Sequence, residues 1–322
     1  MQISFKWLQS MVDCDASPDE IAHRLTMAGL EVEAIEPFQF GLERIVVGRI
    51  QDMEKHPHAE HLQVCKVEIP DNISQVVCGA PNVAVGQIVP LALDGACLHD
   101  GAEVHSSEIH GVLSQGMLCS ERELGLGEDA SGIMVLDRNL SLGSPLAEAL
   151  ELDDLIYYVG ITPNRADCLG IAGVAREVGL LNNLPVRQVA YEKAKAVIDD
   201  TFPVTLQDPQ RCPRYVGRII KGVDVSRPSP LWLQEKLRRS GIRSIDAIVD
   251  ITNYSLMESG QPMHAFDYDK LQGGIVVRTA QAGESLELLD GQTVELQPDT
   301  LVIGDSSGPV AMAGIMGGQP TA

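Results

Sequence analysis

The 322-residue sequence has few basic residues, and this scarcity limits what the protein can bind. It contains 24 Lys and Arg against 45 Asp and Glu, which gives a formal net charge of −21. A negative field of this size repels nucleic-acid phosphates at long range, which argues against a protein that binds nucleic acid regardless of sequence. Any RNA contact must therefore be local and specific for shape, or another chain must supply it.

Several other features are missing. No run approaches the roughly 20 consecutive apolar residues of a membrane span, and the first residues lack a basic stretch followed by a small-residue cleavage site. These absences predict a cytoplasmic location. The seven cysteines include no pair at the two-residue spacing of metal knuckles or redox motifs, which indicates reduced, structural thiols. No glycine loop is followed by Lys-Ser or Lys-Thr, so the ATP-site signature of that kind is also missing.

Apolar spacing predicts a helix near the N-terminus and a small barrel after it. Ser17 is a suitable N-cap for a helix in which Ile21, Leu25 and Ala28 share one face, and Gly29 ends the pattern. A short alternating strand follows at 30–35. Short β-like runs separated by Gly, Asp, Asn and Pro then suit a small barrel. They cover residues 45–50, 62–67, 75–78, 88–93 and 133–136.

After the barrel the sequence predicts a helical segment, a boundary and a mixed α/β region. Residues 164–184 repeat apolar positions at helical spacing, and a polar, Ala- and Lys-rich stretch at 188–201 marks a domain boundary. The elements predicted beyond it are strands at 215–223, 274–279 and 301–303 and a helix at 229–240. The last six residues have turn chemistry directly after an apolar run, so we expect more sequence to follow Ala322.

The barrel region resembles the OB-fold tRNA-binding domain that is shared by tRNA-associated factors and the β subunit of phenylalanyl-tRNA synthetase. The resemblance rests on Val46-Val-Gly-Arg49, His56-Pro-His-Ala-Glu-His-Leu62, Val77-Cys-Gly-Ala-Pro-Asn-Val83 and Gly116-Met-Leu-Cys-Ser120. The face and loops of such a barrel offer shape and hydrogen bonds to unpaired nucleotides. Because this region has few aromatic residues and is not basic, a scaffold between domains is about as good an interpretation as direct tRNA contact.

The rest of the chain resembles the N-terminal portion of the bacterial phenylalanyl-tRNA synthetase β chain, cut within the editing domain. The motifs are Met27-Ala-Gly-Leu-Glu-Val-Glu33, Thr162-Pro-Asn-Arg-Ala-Asp-Cys-Leu169 and Leu237-Arg-Arg-Ser-Gly-Ile-Arg-Ser-Ile-Asp246. The resemblance implies a multidomain α+β fold. Its parts would be a discontinuous α+β domain of residues 1–39 and 151–190, an inserted OB-fold β-barrel of residues 40–150, and an α/β editing domain of the B3/B4 type at 200–322, incomplete at its C-terminus.

The resemblance also implies partners and cofactors. The parent enzyme would be an α2β2 assembly that joins phenylalanine to tRNA(Phe) with ATP and Mg²⁺. The α subunit would carry the joining chemistry, so this chain alone is expected to be inactive in aminoacylation and to bind neither cofactor.

The C-terminal third resembles the domain that, in this family, hydrolyses tyrosine mistakenly attached to tRNA(Phe). An apolar amino-acid pocket rejects a substrate with one extra hydroxyl only weakly, so a second, hydrolytic site improves accuracy. The ester to ribose is already activated. Ordered water and hydrogen bonds to the carbonyl and ribose can therefore suffice without a strong side-chain base.

The resemblance implies that Thr252, Asn253, His264, Gly317 and Arg243 line the editing pocket. Thr252 and Asn253 would meet the ester or ribose, and His264 would orient the substrate or water. Gly317 would be a position where any side chain fills the amino-acid pocket, while Arg243 would reach phosphate or ribose. The carboxylate that reads the tyrosine hydroxyl would come from later sequence. Each residue also has a plain structural interpretation: a strand-to-helix turn, a partly buried histidine, a turn glycine and a solvated arginine.

Two other interpretations stay open. One is a tRNA-binding or assembly module that catalyses no reaction. The other is a metal hydrolase that uses the three histidines of His56-Pro-His-Ala-Glu-His61, although a turn between strands explains that motif better. Asn164, Arg165 and Asp167 are left outside the predicted site, because a Thr-Pro-Asn helix cap accounts for most of them.

Overall fold

The structure is a computed structural model that describes residues 1–38, 42–127, 129–189 and 191–322. Its α-helices are α1 Phe5–Met11, α2 Pro18–Met27, α3 Leu146–Ala149, α4 Ile171–Asn182, α5 Leu231–Arg239 and α6 Ala247–Ser259. Short 3₁₀ helices cover Pro163–Cys168, Tyr268–Lys270 and Gln319–Thr321. No helix in the described part of the chain has the length and apolar character to span a bilayer.

The strands fall into three groups along the chain. Those of the first part are β1 Gln2–Ser4 and β2 Glu31–Phe38. Those of the central part are β3 Ile45–Lys55, β4 Gln63–Ile69, β5 Asn72–Cys78, β6 Ile88–Leu93, β7 Ala96–Cys97, β8 Glu103–Val104, β9 Ser107–Ile109, β10 Val112–Ser114 and β11 Gly116–Leu118. The last part contains β12 Asp154–Gly160, β13 Val204–Leu206, β14 Ile275–Thr279, β15 Ser285–Glu287, β16 Thr293–Glu295, β17 Leu301–Gly304, β18 Pro309–Met312 and β19 Met316–Gly317.

The predicted N-terminal helix is confirmed as α2, and its start is a capping box. The Ser17 hydroxyl accepts a hydrogen bond from the Glu20 backbone N at 3.3 Å, and the Glu20 carboxylate accepts one from the Ser17 backbone N at 3.0 Å. These bonds satisfy two backbone donors that the first turn leaves without helical partners. Ile21 and Leu25 point from α2 into the interior, with at most 2% of their surface exposed.

Tyr157 connects β12 to the start of α2. Strand β12 is the middle strand of a three-stranded sheet with the order β1-β12-β2. The Tyr157 side chain is completely buried, its ring lies 5.4 Å from that of Phe5, and its hydroxyl donates to the Pro18 carbonyl at 2.7 Å. One part-buried hydrogen bond thus joins segments that are far apart in the sequence.

The central part forms a near-closed five-stranded antiparallel barrel, as predicted. The strand order is β11-β6-β3-β4-β5, and β3 pairs with β6 along its first half and with β4 along its second. A register shift between Ile50 and Asp52 accompanies this change of partner. Bonds from Gln115 N to the Gln75 carbonyl (2.8 Å) and from Val77 N to the Ser114 hydroxyl (3.0 Å) bring the two ends of the sheet together.

The strand predicted at 133–136 is wrong, and β11 is the fifth strand of the barrel instead. Ile133, Met134 and Leu136 are buried, but the segment pairs with a strand only through a single bridge from Leu136 to Ile88. The Asn82 side chain donates to the Ile133 carbonyl (2.8 Å) and accepts from its N–H (2.9 Å). The Asn82 amide thus provides the hydrogen bonds that the Ile133 backbone needs. The segment can therefore be buried without pairing as a strand.

The last part contains a second five-stranded sheet with the order β13-β14-β17-β18-β19. Strands β13 and β14 are parallel, and the other pairs are antiparallel. Strands β14 and β17 and helix α5 confirm the elements predicted at 274–279, 301–303 and 229–240. Beside this sheet lies a small apolar core that includes Leu286, Leu288, Leu296 and Val302.

The strand predicted at 215–223 is wrong. The segment has the alternating apolar residues of a strand, yet no described strand pairs with it. Val216 is 75% exposed and Ile220 is 66% exposed, so these residues do not bury the face that the pattern indicates. A β pattern requires a neighbouring strand, and this segment has none among the described residues.

The chain divides into two compact units. One consists of Met1–Ala34 with Tyr157–Ala322, and the other of Ile35–Ile156, which contains the barrel. The predicted boundaries at 39, 150 and 200, and the separation of an editing domain from the first domain, stay predictions.

We expect Tyr157→Phe to destabilise the unit that contains β12 by about 1 kcal/mol, because the part-buried hydrogen bond to the Pro18 carbonyl is lost. Thermal and urea unfolding would measure this shift. Tyr191→Phe is the matched control, since Tyr191 is 87% exposed and should leave the midpoints unchanged. Equal midpoints for the two variants would contradict the role of this bond.

Candidate functional site

Helix α6 carries two of the predicted site residues, Thr252 and Asn253. The Asp246 carboxylate starts the helix by accepting hydrogen bonds from the backbone N atoms of Ile248 (2.8 Å) and Val249 (3.1 Å). Thr252 and Asn253 are half-buried, and the Thr252 hydroxyl donates to the Val249 carbonyl at 2.7 Å. They therefore lie within a helix that the sequence did not predict, and the interpretation as a strand-to-helix turn is wrong.

Gly260 ends α6 in a close backbone contact. Its φ of 73° is left-handed, as is common for a residue that ends a helix. A β-carbon on Gly170 would lie 2.5 Å from the Gly260 N, and one on Gly260 would lie 2.9 Å from the Leu169 carbonyl oxygen. The backbones can approach this closely because both residues are glycine. This contact joins the start of α4 to the residue that precedes the loop containing His264.

The segment 261–267 is a loop without helix or strand, and its last residue is anchored to the end of the chain. The Asp267 N donates to the Thr321 carbonyl at 2.9 Å. Within the loop, the His264 ring lies 4.5 Å from the Phe266 ring at an interplanar angle of 75°. This edge-to-face geometry is favourable for aromatic rings and gives His264 a packing partner.

The structure brings His264 and Gly317 together. Gly317 lies in β19, where it pairs with Ala311 of β18. A β-carbon on Gly317 would lie 2.6 Å from His264 Nε2, and closer still to Cε1. The imidazole therefore occupies the space that any side chain at residue 317 would need.

The protein around the His264 ring lowers its pKa below the ordinary value of 6.5, because burial penalises the charged form. The residue keeps an exposed surface, so water can also reach it. The imidazole is therefore neutral at neutral pH. In that state one ring nitrogen donates a hydrogen bond and the other accepts one.

The remaining predicted residues are not joined to this pair by hydrogen bonds. In the described chain, neither Thr252 nor Asn253 is hydrogen-bonded to His264, although α6 leads directly into the His264 loop through Gly260. Arg243 is exposed in the connection between α5 and α6. The contact between His264 and Gly317 is thus the part of the predicted site that the structure shows directly.

Sequence reasoning missed a buried carboxylate at the base of α6. Asp250 is completely buried and accepts hydrogen bonds from the hydroxyls of Ser229 and Ser244 (2.5 Å each) and from the Ile245 N (2.9 Å). These bonds connect α6 to the segments before and after α5. The sequence does contain a signal for this buried carboxylate, because Asp250 interrupts an apolar run between Val249 and Ile251.

Thr162 occupies the N-cap position of the 3₁₀ helix Pro163–Cys168, as the helix-cap interpretation expects, but its side chain makes no capping bond. Arg165 lies between three groups, at 3.0 Å from Asp167 Oδ2, 2.8 Å from Glu177 Oε1 and 3.0 Å from Cys168 Sγ. Its hydrogen bond lowers the pKa of Asp167 to about 2, while burial, followed by the Asp167 carboxylate, raises the pKa of Cys168 to about 11. The cluster is an ion-pair network around a protonated thiol.

Three residues of this cluster are also close enough together to be considered as metal ligands. Ligand atoms of Asp167, Cys168 and Glu177 lie within 4.8 Å of one another. The guanidinium of Arg165 already supplies the positive charge there. The carboxylates are therefore engaged, and the donor set does not suit Mg²⁺.

His56 in the barrel is unsuited to bind a metal. Its ring is buried, Nδ1 accepts a hydrogen bond from the His58 N at 3.1 Å, and Nε2 lies 3.0 Å from the Ile109 carbonyl oxygen. That carbonyl is an acceptor, so Nε2 carries the proton. Both nitrogens are in use, and the metal-hydrolase interpretation loses its first ligand.

Comparison with protein families identifies both parts of the chain. A family described as a putative tRNA binding domain matches residues 45–145, and the B3/4 domain family matches residues 211–322. The first match covers the barrel. The second covers α5, α6, the His264 loop and the sheet that contains Gly317 except its edge strand β13.

Whole proteins align over nearly all of the chain. The phenylalanine–tRNA ligase beta subunit of Hahella chejuensis is 52% identical over 319 residues, which cover 99% of this chain and 40% of that protein. The beta subunit of Pectobacterium atrosepticum is 46% identical over 320 residues with the same coverage. This chain thus spans about 40% of the length of these relatives.

A solved N-terminal fragment of the phenylalanyl-tRNA synthetase beta subunit from Pyrococcus horikoshii aligns over 52% of each chain, with 16% identity and a TM-score of 0.25. That similarity is too low to bear on the fold. The sequence relatives and the two domains carry the assignment: this chain belongs to the phenylalanine–tRNA ligase beta subunit family and contains a tRNA-binding domain and a B3/4 domain.

Proposed function

We propose that this chain contributes part of an editing pocket to a phenylalanine–tRNA ligase, in which it helps to hydrolyse tyrosine mistakenly attached to tRNA(Phe). The pocket is centred on His264 and Gly317, with Thr252, Asn253 and Arg243 as further groups. Later sequence of the longer subunit supplies the remaining contacts, including the carboxylate that reads the tyrosine hydroxyl.

One observation carries this proposal, namely the position of the His264 imidazole against the bare α-carbon of Gly317. It places a neutral hydrogen-bonding group directly against the backbone of a buried strand residue. An aminoacyl ester has a carbonyl oxygen that can accept a hydrogen bond from such a group. A lone buried histidine in a packed core would not keep an exposed face of this kind.

The reaction needs little from the side chains. A water oxygen attacks the ester carbonyl carbon, the bond from that carbon to the ribose oxygen breaks, and a water proton passes to the departing ribose oxygen. In a neutral imidazole the protonated ring nitrogen can donate to the ester oxygen, and the other nitrogen can accept from the water. Thr252 and Asn253 supply polar groups for the ester or the ribose, and Arg243 supplies a charge for phosphate.

Discrimination in this proposal comes from binding at a second site. Apolar contacts distinguish substrates that differ by one hydroxyl only weakly, by about 100-fold. A second pocket that accepts the hydroxylated side chain removes the error after it has been made. Gly317 leaves the space beside it to the His264 imidazole, which orients the ester of that substrate.

The remaining parts of the reaction belong to partners. The relatives are beta subunits, which implies an alpha subunit, and we assign the joining of phenylalanine to tRNA(Phe) with ATP and Mg²⁺ to the α2β2 assembly in the cytoplasm.

The barrel supports tRNA binding through shape. No Phe, Trp or Tyr occurs between residues 42 and 156, so this part of the chain cannot stack bases on those three kinds of ring. Hydrogen bonds from loops and backbone remain available. The same lack favours the second candidate function, an assembly module that holds domains in place.

Substitution at Gly317 tests the pocket. In a complete ligase whose beta subunit contains this chain, Gly317→Trp should leave phenylalanine charging intact and slow the deacylation of Tyr-tRNA(Phe) by about 100-fold, because the ring displaces His264 and fills the pocket. Gly317→Ala should show a smaller loss in the same direction. Deacylation by purified variants, with charging measured in parallel, gives both values.

The matched control is Gly217→Ala, since a β-carbon there would meet no atom within 4 Å. It should deacylate like the parent enzyme. Equal clearance of mischarged tRNA by the Gly317→Trp variant and the parent would exclude the proposed pocket.

His264→Ala should slow deacylation by about 10-fold without abolishing it, because His264 orients groups that other contacts also hold. An essential general acid or base would contribute about 100- to 10,000-fold. Single-turnover deacylation of Tyr-tRNA(Phe) distinguishes the two sizes of effect, and a loss in the larger range would assign His264 as the base.

The neutral state of His264 predicts a pH dependence. Its folded pKa lies below 6.5, so the unfolded chain takes up the proton first as pH falls. The contribution of this residue to stability is therefore complete above 6.5 and decreases between 6.5 and the lower folded value. NMR titration of the His264 ring should give a midpoint below 6.5, with His264→Gln used to assign the signal. A midpoint at or above 6.5 would contradict the neutral imidazole.

A further inference from the structure

Helix α6 carries Thr252 and Asn253 but has no fully buried apolar side chain. All of its residues are described, and Asp250 is its one buried side chain. Helices usually gain their position from a packed apolar stripe. Contacts other than a buried apolar stripe therefore help to fix how far α6 is rotated about its own axis.

Tyr254, the residue after Asn253, has aromatic contacts on two sides. The Trp7 ring of α1 stacks against it with centroids 5.2 Å apart and an interplanar angle of 11°. The Trp232 ring of α5 meets it at 5.5 Å and 87°. These are the two favourable geometries of aromatic pairs, and the partners come from two different helices.

A lysine completes the cluster. The Lys236 Nζ lies 4.6 Å from the centroid of the Trp7 ring, 5.3 Å from that of Tyr254 and 5.8 Å from that of Trp232. All three distances are within the range of cation–π attraction. One ammonium group is thus attracted to rings on α1, α5 and α6. We call Trp7, Trp232, Lys236 and Tyr254 the aromatic–lysine cluster.

The phenol of Tyr254 is held as well. Its hydroxyl donates to Glu258 Oε1 at 2.5 Å, and burial together with this carboxylate raises the Tyr254 pKa. The side chain therefore stays neutral and donates over the physiological pH range. The ring contacts are available whether or not this bond forms.

The rotation of α6 sets where Asn253 and Thr252 point. Neighbouring residues of a helix are separated by a fixed rotation, so a shift of Tyr254 moves Asn253 and Thr252 with it. A misplacement of about 1 Å in groups that position a substrate can cost about 100-fold in rate. A cluster that holds Tyr254 can therefore control the chemistry without touching the substrate.

We propose that the aromatic–lysine cluster positions Thr252 and Asn253 for the hydrolysis of the aminoacyl ester, with Tyr254 as the positioning residue. The inference rests on the proposed editing function. It extends that function to Trp7, which lies in the first helix of the chain, and to Lys236, for which the pocket assignment gives no role.

The cluster can be observed directly, because the chain has two tryptophans and both belong to it. In this chain, Tyr254→Leu and Lys236→Met should change tryptophan emission and weaken the near-ultraviolet circular dichroism. Tyr254→Phe keeps the ring and should retain the parent spectra. Tyr191→Leu is the control for loss of an exposed tyrosine. Parent-like spectra for Tyr254→Leu would overturn the proposal.

The functional arm uses the complete ligase with the same variants. Tyr254→Leu should lower the kcat for Tyr-tRNA(Phe) deacylation by about 10- to 100-fold, and Tyr254→Phe should restore it to within about threefold. Phenylalanine charging should not change. An unchanged kcat in Tyr254→Leu, or a Tyr254→Phe variant as slow as Tyr254→Leu, would overturn the positioning role.

The parent enzyme and the Gly317→Trp variant separate this inference from the proposed function. A parent that does not deacylate Tyr-tRNA(Phe) would overturn both. A parent that does so, with loss in Gly317→Trp but not in Tyr254→Leu, would keep the editing pocket and remove the positioning role.

Discussion

The missing β-carbon of Gly317 determines where the imidazole of His264 can lie, and the candidate site is arranged around that contact. Strand β19 offers bare backbone, and the His264 loop lies against it. The bond from Asp267 to the Thr321 carbonyl holds the loop from one side, and Gly260 fixes its other end against Gly170. Close approach of backbone and side chain, and not a strong acid or base, is the main physical property of this site.

The acidic composition has a counterpart in the way the basic residues are used. Several guanidinium groups are tied to carboxylates, including Arg165 with Glu177, Arg238 with Glu235 and Arg278 with Glu284. The pair of Arg278 and Glu284 is mostly buried and makes two hydrogen bonds, of 2.8 and 2.6 Å, so it is stronger than an exposed pair. Basic side chains that are paired with carboxylates add little to the long-range attraction of RNA. Contact with tRNA must then depend on local fit.

The sequence predicted elements well where local signals and tertiary packing agreed. Helix α2 has a capping box and a buried stripe, and four of the five barrel strands were found because each alternates and has a neighbour. Helix α6 was missed because its run of β-branched residues has no helical periodicity. Its position depends on Asp246, Asp250 and the rings around Tyr254.

The segments 215–223 and 133–136 carry strand patterns, but pairing depends on a second segment that the pattern does not describe. Within the site, family resemblance named His264 and Gly317, and only coordinates could show that one fills the space beside the other.

The sheet order β1-β12-β2 also bears on which parts of such a chain can be inserted or lost during evolution. The end of β12 lies beside the start of β2, since a β-carbon on Gly160 would meet Glu33 and the Glu31 carbonyl. The chain therefore leaves this sheet and returns to it at adjacent points, with the whole barrel between them. An inserted segment whose two ends lie side by side can be lengthened, replaced or lost as a unit, while the part that contains the B3/4 domain retains its geometry.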